Sequence, residues 1–356
     1  MQIECTNNMI KRLMEINSNM RRSVRVRSLE AAIDNGRMVN LMPPICANLY
    51  SAIKDYALKQ NKELTEDDFN ACAAMPIVIE PVDIIDEYVK KMASLCVTEG
   101  KYSFHPVFFH KNSLLVIGEP ELDDDFIGKS LHFGIFGENQ IGYVMEENTE
   151  NGTIINSGVN YSEYKTKERL AEKAEGNVCV YGDSCLFFTF MLSKNPNVDK
   201  IIVICDDEEG ARVRRQILDR LKLEKVILCH YHGSIGKAWY KEYLENNRDI
   251  NVFYTDNYSD NVKGYEIYKE IVKEEKKYPN ITFLYWLEKS ILSTVKANII
   301  QYLSAKVGTP EHLRYFKVIA GDMYDALEAD TTTIKIPKHI EYCLTDRFAK
   351  ELVQKM

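Results

Sequence analysis

No run among the 356 residues comes near the roughly 18 consecutive apolar residues that a bilayer-spanning helix needs, so no membrane partner is expected. The opening residues, Met1-Gln2-Ile3-Glu4-Cys5, lack a basic stretch followed by an apolar core, so no secretory signal is expected either. The nine cysteines are odd in number, scattered, and include no CxxC pair. Neither a disulfide framework nor a zinc site is therefore indicated, and a reducing cytoplasm is the expected location. Cys179, Cys205 and Cys229 fall in or at the ends of apolar runs, where a thiol packs as a small core group. Basic residues are in deficit: 45 Lys and Arg stand against 53 Asp and Glu, a net charge of −8. That balance argues against a general nucleic-acid partner. The local exception, Arg21-Arg22-Ser23-Val24-Arg25-Val26-Arg27, reads first as an exposed helix face and second as an anion contact. Internal repeats and low-complexity tracts are missing as well.

What is present is the composition of an ordinary globular protein, 45% hydrophobic and 28% charged. The length allows a large core and about two domains. Residues 1–103 read as a helical N-terminal region, punctuated by Pro43-Pro44, with helices expected over 45–61, from Thr65, and over 81–93. Residues 104–160 change period: short apolar runs separated by Gly, Pro, Asn and acidic turns predict a small, mostly antiparallel sheet. Residues 161–300 alternate strands with helices, and residues 301–356 read as C-terminal helices.

The clearest unit runs from Asn177 to Arg215. Val178 to Tyr181 is a short β-prone run, Gly182-Asp183-Ser184 breaks it, and a helix starts at about Leu186. Asn195-Pro196-Asn197 ends that helix, and Ile201 to Ile204 is a continuous apolar strand of the kind buried on both faces. Further strands are expected at 225–229, 252–256 and 281–287, with a charged helix over 264–277. Strands alternating with helices of this length predict an α/β fold, a Rossmann-like and mostly parallel sheet covered on both faces. Its ligand crevice is expected at the carboxyl ends of the strands.

Four features fall at those strand ends: Gly182-Asp183-Ser184-Cys185-Leu186, Cys205-Asp206-Asp207, His230-Tyr231-His232 and Asp256-Asn257-Tyr258. In order and spacing they resemble the class I S-adenosylmethionine-dependent methyltransferases, over residues 160–300 and not over the flanks. The resemblance implies that Gly182, Asp183 and Ser184 approach the methionine part of the cofactor. It implies Cys205, or the adjacent Asp206, at the ribose, Tyr231 at the adenine, and Asp256 near the methyl acceptor. Methyl transfer at such a site works by positioning the two reactants. The family turn carries three glycines, and their positions here are Gly182, Ser184 and Leu186. A leucine stands where close backbone approach is wanted, a thiol stands at the ribose position, and a tyrosine replaces an acid.

Simpler readings sit beside each of these. Asp206 to Glu209 also suit the first turn of a helix, favoured by its macrodipole, and Asp256 also suits a cap. His230 and His232 share a face if the strand continues, but a further metal ligand is not evident and no metal is expected. Cys185 at a helix start has the setting of a lowered thiol pKa if exposed, and of a packed core residue if not. Phe187, Phe188, Phe190, Tyr285 and Trp286 read as packing residues. The expectation is a methyltransferase-like protein of unknown substrate with an eroded S-adenosylmethionine site. The alternatives are a non-catalytic binding or assembly module on that scaffold, or a pocket reshaped for another small-molecule ligand such as a nucleotide. A homo-oligomer is compatible with all three.

Overall fold

The computed structural model describes residues 1–18, 77–111, 114–117, 133–205, 207–230, 239–258 and 261–356. The helices expected over 45–61 and from Thr65, and the Arg21–Arg27 cluster, lie outside these residues, as do Asp206, Tyr231 and His232.

The centre of the molecule is a five-stranded parallel sheet. Its strands are β9 (Gly176–Tyr181), β10 (Val198–Cys205), β11 (Val226–His230), β12 (Val252–Thr255) and β13 (Thr282–Tyr285), and their spatial order is β11-β10-β9-β12-β13. Every neighbouring pair is parallel, with Ile202 beside both Cys179 and Ile227. The fold is α/β, as expected. The central stretches of β9, β10 and β12 are buried because both faces are covered. Val178, Val180, Ile201, Val203, Val252 and Tyr254 enter one core. Cys179, Ile202, Ile204 and Phe253, the alternate positions, enter the other.

Helices α3 (Tyr161–Lys173), α4 (Phe187–Lys194) and α5 (Glu208–Leu221) are tied to the first face, as is α2 (Asp83–Met92). The first core takes Phe187, Phe188 and Phe190 from α4 and Val213 and Ile217 from α5, all fully buried. On the other face lie α6 (Trp239–Asn246), α7 (Asn261–Val272) and α8 (Glu288–Val307). The C-terminal helices α9 (Pro310–Ala320), α10 (Asp322–Ala329), α11 (Pro337–Cys343) and α12 (Asp346–Val353) extend that second core. Lys350 of α12 reaches Glu275 at 2.9 Å and Glu288 at 3.2 Å, and Tyr285 donates to the same Glu275 at 2.8 Å. Among the described residues no helix is long and apolar enough to cross a membrane.

The region read as helical up to residue 103 contains strands. β1 (Gln2–Ile3) pairs in parallel with β14 (Thr333–Ile334), and helix α1 follows over residues 7–18. β2 (Ile77–Ile79) pairs with β6 (Phe133–Phe136), which also pairs with β5 (Leu114–Val116). The antiparallel sheet starts before residue 104, in the order β3 (Val97–Glu99), β4 (Tyr102–Phe109), β7 (Gln140–Thr149), β8 (Gly152–Val159). It is not a separate body. Phe104, Tyr143 and Met145 share the core of Val178 and Phe187. Tyr143 OH donates to Met92 O at 2.6 Å, and Tyr88 OH donates to Cys185 O. The helix expected over 264–277 begins earlier, at Asn261, and ends at Val272, with a 3-10 turn over Glu275–Lys277. The last strand is shorter than expected, and α8 crosses the boundary placed at residue 300.

Candidate functional site

The chain builds β9, β10 and β11 outward in one direction and then returns to lay β12 and β13 on the other side of β9. The strand order therefore reverses between β9 and β12, the place where open α/β sheets hold ligands. Gly182 and Asp183 follow β9 there, and Asp256 follows β12.

The turn after β9 keeps the backbone of a close-approach site. Gly182 has φ +110, and a Cβ at that position would collide with Asp256 Oδ1. The approaching group is thus the protein's own carboxylate. Asp256 Oδ1 accepts the Asp183 amide, and Asp256 Oδ2 accepts Tyr254 OH at 3.1 Å. Asp183 is turned inward and capped onto α4: its carboxylate accepts Thr189 N at 2.7 Å, Thr189 Oγ1 at 2.7 Å and Phe188 N at 3.2 Å. These are orphan amides of a helix start, the donors that elsewhere receive a ligand anion.

The charge of this pair is met by a residue outside the expected set. Lys167 of α3 has 1% of its side chain exposed, and its Nζ lies 3.1 Å from Asp256 Oδ2 and 2.9 Å from Glu163 Oε2. It also sits 5.5 Å from the Trp286 ring centroid, and Trp286 Nε1 donates to Thr166 Oγ1 at 3.0 Å. Burial pulls the Lys167 pKa down, but Glu163, Asp256 and Asp183 together outweigh it and hold the ammonium protonated well above its ordinary range. Burial, with Asp256 adding to it, pushes the Asp183 carboxyl above its ordinary value against the opposing pull of Lys167.

Leu186 leads the turn into α4. It is fully buried in the core with φ +54, the left-handed region that favours glycine. A leucine thus holds a backbone shape suited to glycine while its side chain packs in the core. Cys185 is buried, burial pushes its thiol up, and it reaches Ser157 O at 3.5 Å; the exposed, lowered-pKa alternative does not hold. Ser184 Oγ accepts from Arg214 Nη2 at 3.2 Å, and the same nitrogen lies 3.4 Å from Gly182 O.

At the end of β10, Cys205 is 1% exposed. Asp207 caps α5 through Gly210 N at 2.6 Å and accepts Tyr102 OH at 3.0 Å. Glu209 accepts Lys101 N at 3.0 Å, and Arg212 reaches Glu99 at 3.0 Å. The acidic turn is a helix start, as the simpler reading has it, and its side chains also grip β3 and β4. Asp256 directs its carboxylate to the Asp183 amide, Tyr254 OH and Lys167. Of the seven residues expected at a cofactor, Gly182, Asp183 and Asp256 meet directly, Ser184 joins them through Arg214, Cys205 is buried at its strand end, and Asp206 and Tyr231 lie outside the described residues. Among the described residues no group of three His, Cys, Asp or Glu side chains is placed to hold a metal ion.

No protein-family model and no curated protein matches this chain. Lys167 was legible only indirectly. Tyr164, Lys167, Ala171 and Ala174 follow heptad spacing, which sets one lysine in an otherwise apolar stripe.

Proposed function

We propose that this chain is a non-catalytic binding or assembly module on a methyltransferase-like scaffold, with the S-adenosylmethionine crevice closed by its own side chains. The observation that carries the reading is the internal use of the turn's donors. The Asp183 amide is spent on Asp256, and the Phe188 and Thr189 amides are spent on Asp183. Lys167 supplies the positive charge that a bound sulfonium and amino group would otherwise bring to Asp256. A cofactor would have to displace a buried, paired ammonium, and exposing the carboxylates to a competitor carries the cost of breaking a buried ion pair. A nucleotide meets the same obstacle, since its phosphates would compete with Asp183 for the α4 amides.

The test is calorimetric titration of S-adenosylmethionine, S-adenosylhomocysteine and ATP into the purified protein. No heat and no thermal shift at millimolar ligand is the expected result. Saturable heat from S-adenosylmethionine that disappears in Asp256→Asn would overturn the closed-crevice reading and restore methyl transfer.

A further inference from the structure

Away from the crevice, α3 shows a second stripe. Tyr161, Tyr164, Glu168 and Glu172 recur at helical spacing and line an open trough of about 750 Å³ with Pro81–Ile84, Met191, Lys194 and Pro196. From Tyr161 to Glu172 the helix rises about 16 Å at ~1.5 Å per residue. That is the length of about five residues of extended chain at ~3.3 Å each. The Tyr161 and Tyr164 rings, 6.4 Å apart at 51°, form the aromatic half, and Met191, Val82 and Ile84 continue the apolar wall.

The charge of the trough is one-sided. Lys194 is its only lining cation among the described residues, and it is tied to Glu87 at 2.5 Å. Lys165 offsets Glu168 at 2.7 Å. Asp83 on one wall and Glu172 on the other are exposed and pair with no cation among the described residues. Two such carboxylates beside an aromatic and aliphatic lining suit a chain that carries positive charge on apolar stems.

We infer that this trough is a docking site for an extended, basic and apolar polypeptide segment of a partner protein. The inference deepens the binding-module reading and rests on it for its purpose, while the site is separate from the crevice. Segment length matches trough length, the apolar floor takes the side-chain stems, and Asp83 and Glu172 take the cationic heads.

The experiment uses the full chain and an amidated hexapeptide alternating lysine with leucine. A glutamate-for-lysine version serves as control, and binding is followed by calorimetry at low salt. The expected result is micromolar binding of the lysine peptide, silence from the glutamate peptide, and a roughly tenfold loss in Asp83→Asn/Glu172→Gln, two exposed charge removals of modest individual weight. No binding at millimolar peptide, equal binding of both peptides, or unchanged affinity in the double variant would each overturn the proposal. S-adenosylmethionine titrated in parallel keeps the two readings apart. Heat from the cofactor counts against the closed crevice and leaves the peptide result standing, and peptide silence alone removes the trough.

Discussion

Lys167 Nζ lies 3.1 Å from Asp256 Oδ2, and the two side chains are only 1% and 4% exposed. Removing the cation leaves the Asp256 carboxylate buried without this counter-charge. Lys167→Met is expected to lower stability by about 3–5 kcal/mol, the usual result of breaking a buried pair from one side. Adding Asp256→Asn to it is expected to recover part of that loss. Urea denaturation of the single and double variants reads both values, and a single-variant loss below ~1 kcal/mol would show that the ion pair does not hold the crevice shut.

Asp183 caps α4 from the turn. Asp183→Ala removes the acceptor for Phe188 N and Thr189 N and is expected to cost about 1–2 kcal/mol, with loss of hydrogen-exchange protection at those two amides. Thr189→Val keeps both amide bonds and removes only the hydroxyl donor, so it is expected to leave that protection in place.

Two leucines enter helices through the left-handed region. Leu186 precedes α4 and Leu287 precedes α8, each with φ +54. Glycine relieves about 1–2 kcal/mol of backbone strain at either site. Leu186 is wholly buried, and emptying such a site costs about 2–5 kcal/mol. Leu186→Gly is therefore expected to destabilise by about 1–3 kcal/mol net, and Leu287→Gly, at a half-buried position, to fall near zero. Chemical denaturation of both variants decides whether strain or burial dominates.

Glu274 is bonded to Lys241 at 2.8 Å and to Lys277 at 2.5 Å. Those bonds, Lys241 first, hold its carboxyl below the usual carboxylate range. A depressed carboxyl binds fewer protons folded than unfolded, so its stabilisation is full above the ordinary value of 4.5 and is lost as pH falls through the folded value. Glu274→Gln is expected to lower the urea midpoint near about pH 7 by a small amount, and by progressively less as pH falls below 4.5. An equal drop throughout would exclude the carboxylate as the cause.

The parallel sheet was legible because Val178–Tyr181, Ile201–Ile204 and Val252–Tyr254 are short runs of apolar and aromatic residues alternating with helices, the pattern of strands covered on both faces. Strand β4 was not. Its sequence, Tyr102-Ser103-Phe104-His105-Pro106-Val107-Phe108-Phe109, carries a proline and no clean alternation, and it pairs along its length with β7 only as the structure brings the two together. The strand-end positions Gly182, Asp183 and Asp256 could be read from the turns. Their partnership could not, since Lys167 lies among Lys165 and Arg169 in an amphipathic helix, and only its place in the apolar stripe sets it apart from those solvated neighbours.

Helix α3 presents Lys167 to the sheet and the Tyr161–Glu172 stripe to the trough, and Asn195 clamps its far end by donating to Ala171 O at 2.8 Å and Ala174 O at 2.9 Å. Any outward shift or roll of this helix would drag a paired ammonium out of the protein interior. The ion pair at the switch point therefore acts as a stay for the neighbouring face of the same helix. A wall held that firmly has little freedom to lose when a partner arrives, so the ordering cost of association falls on the incoming segment rather than on the trough.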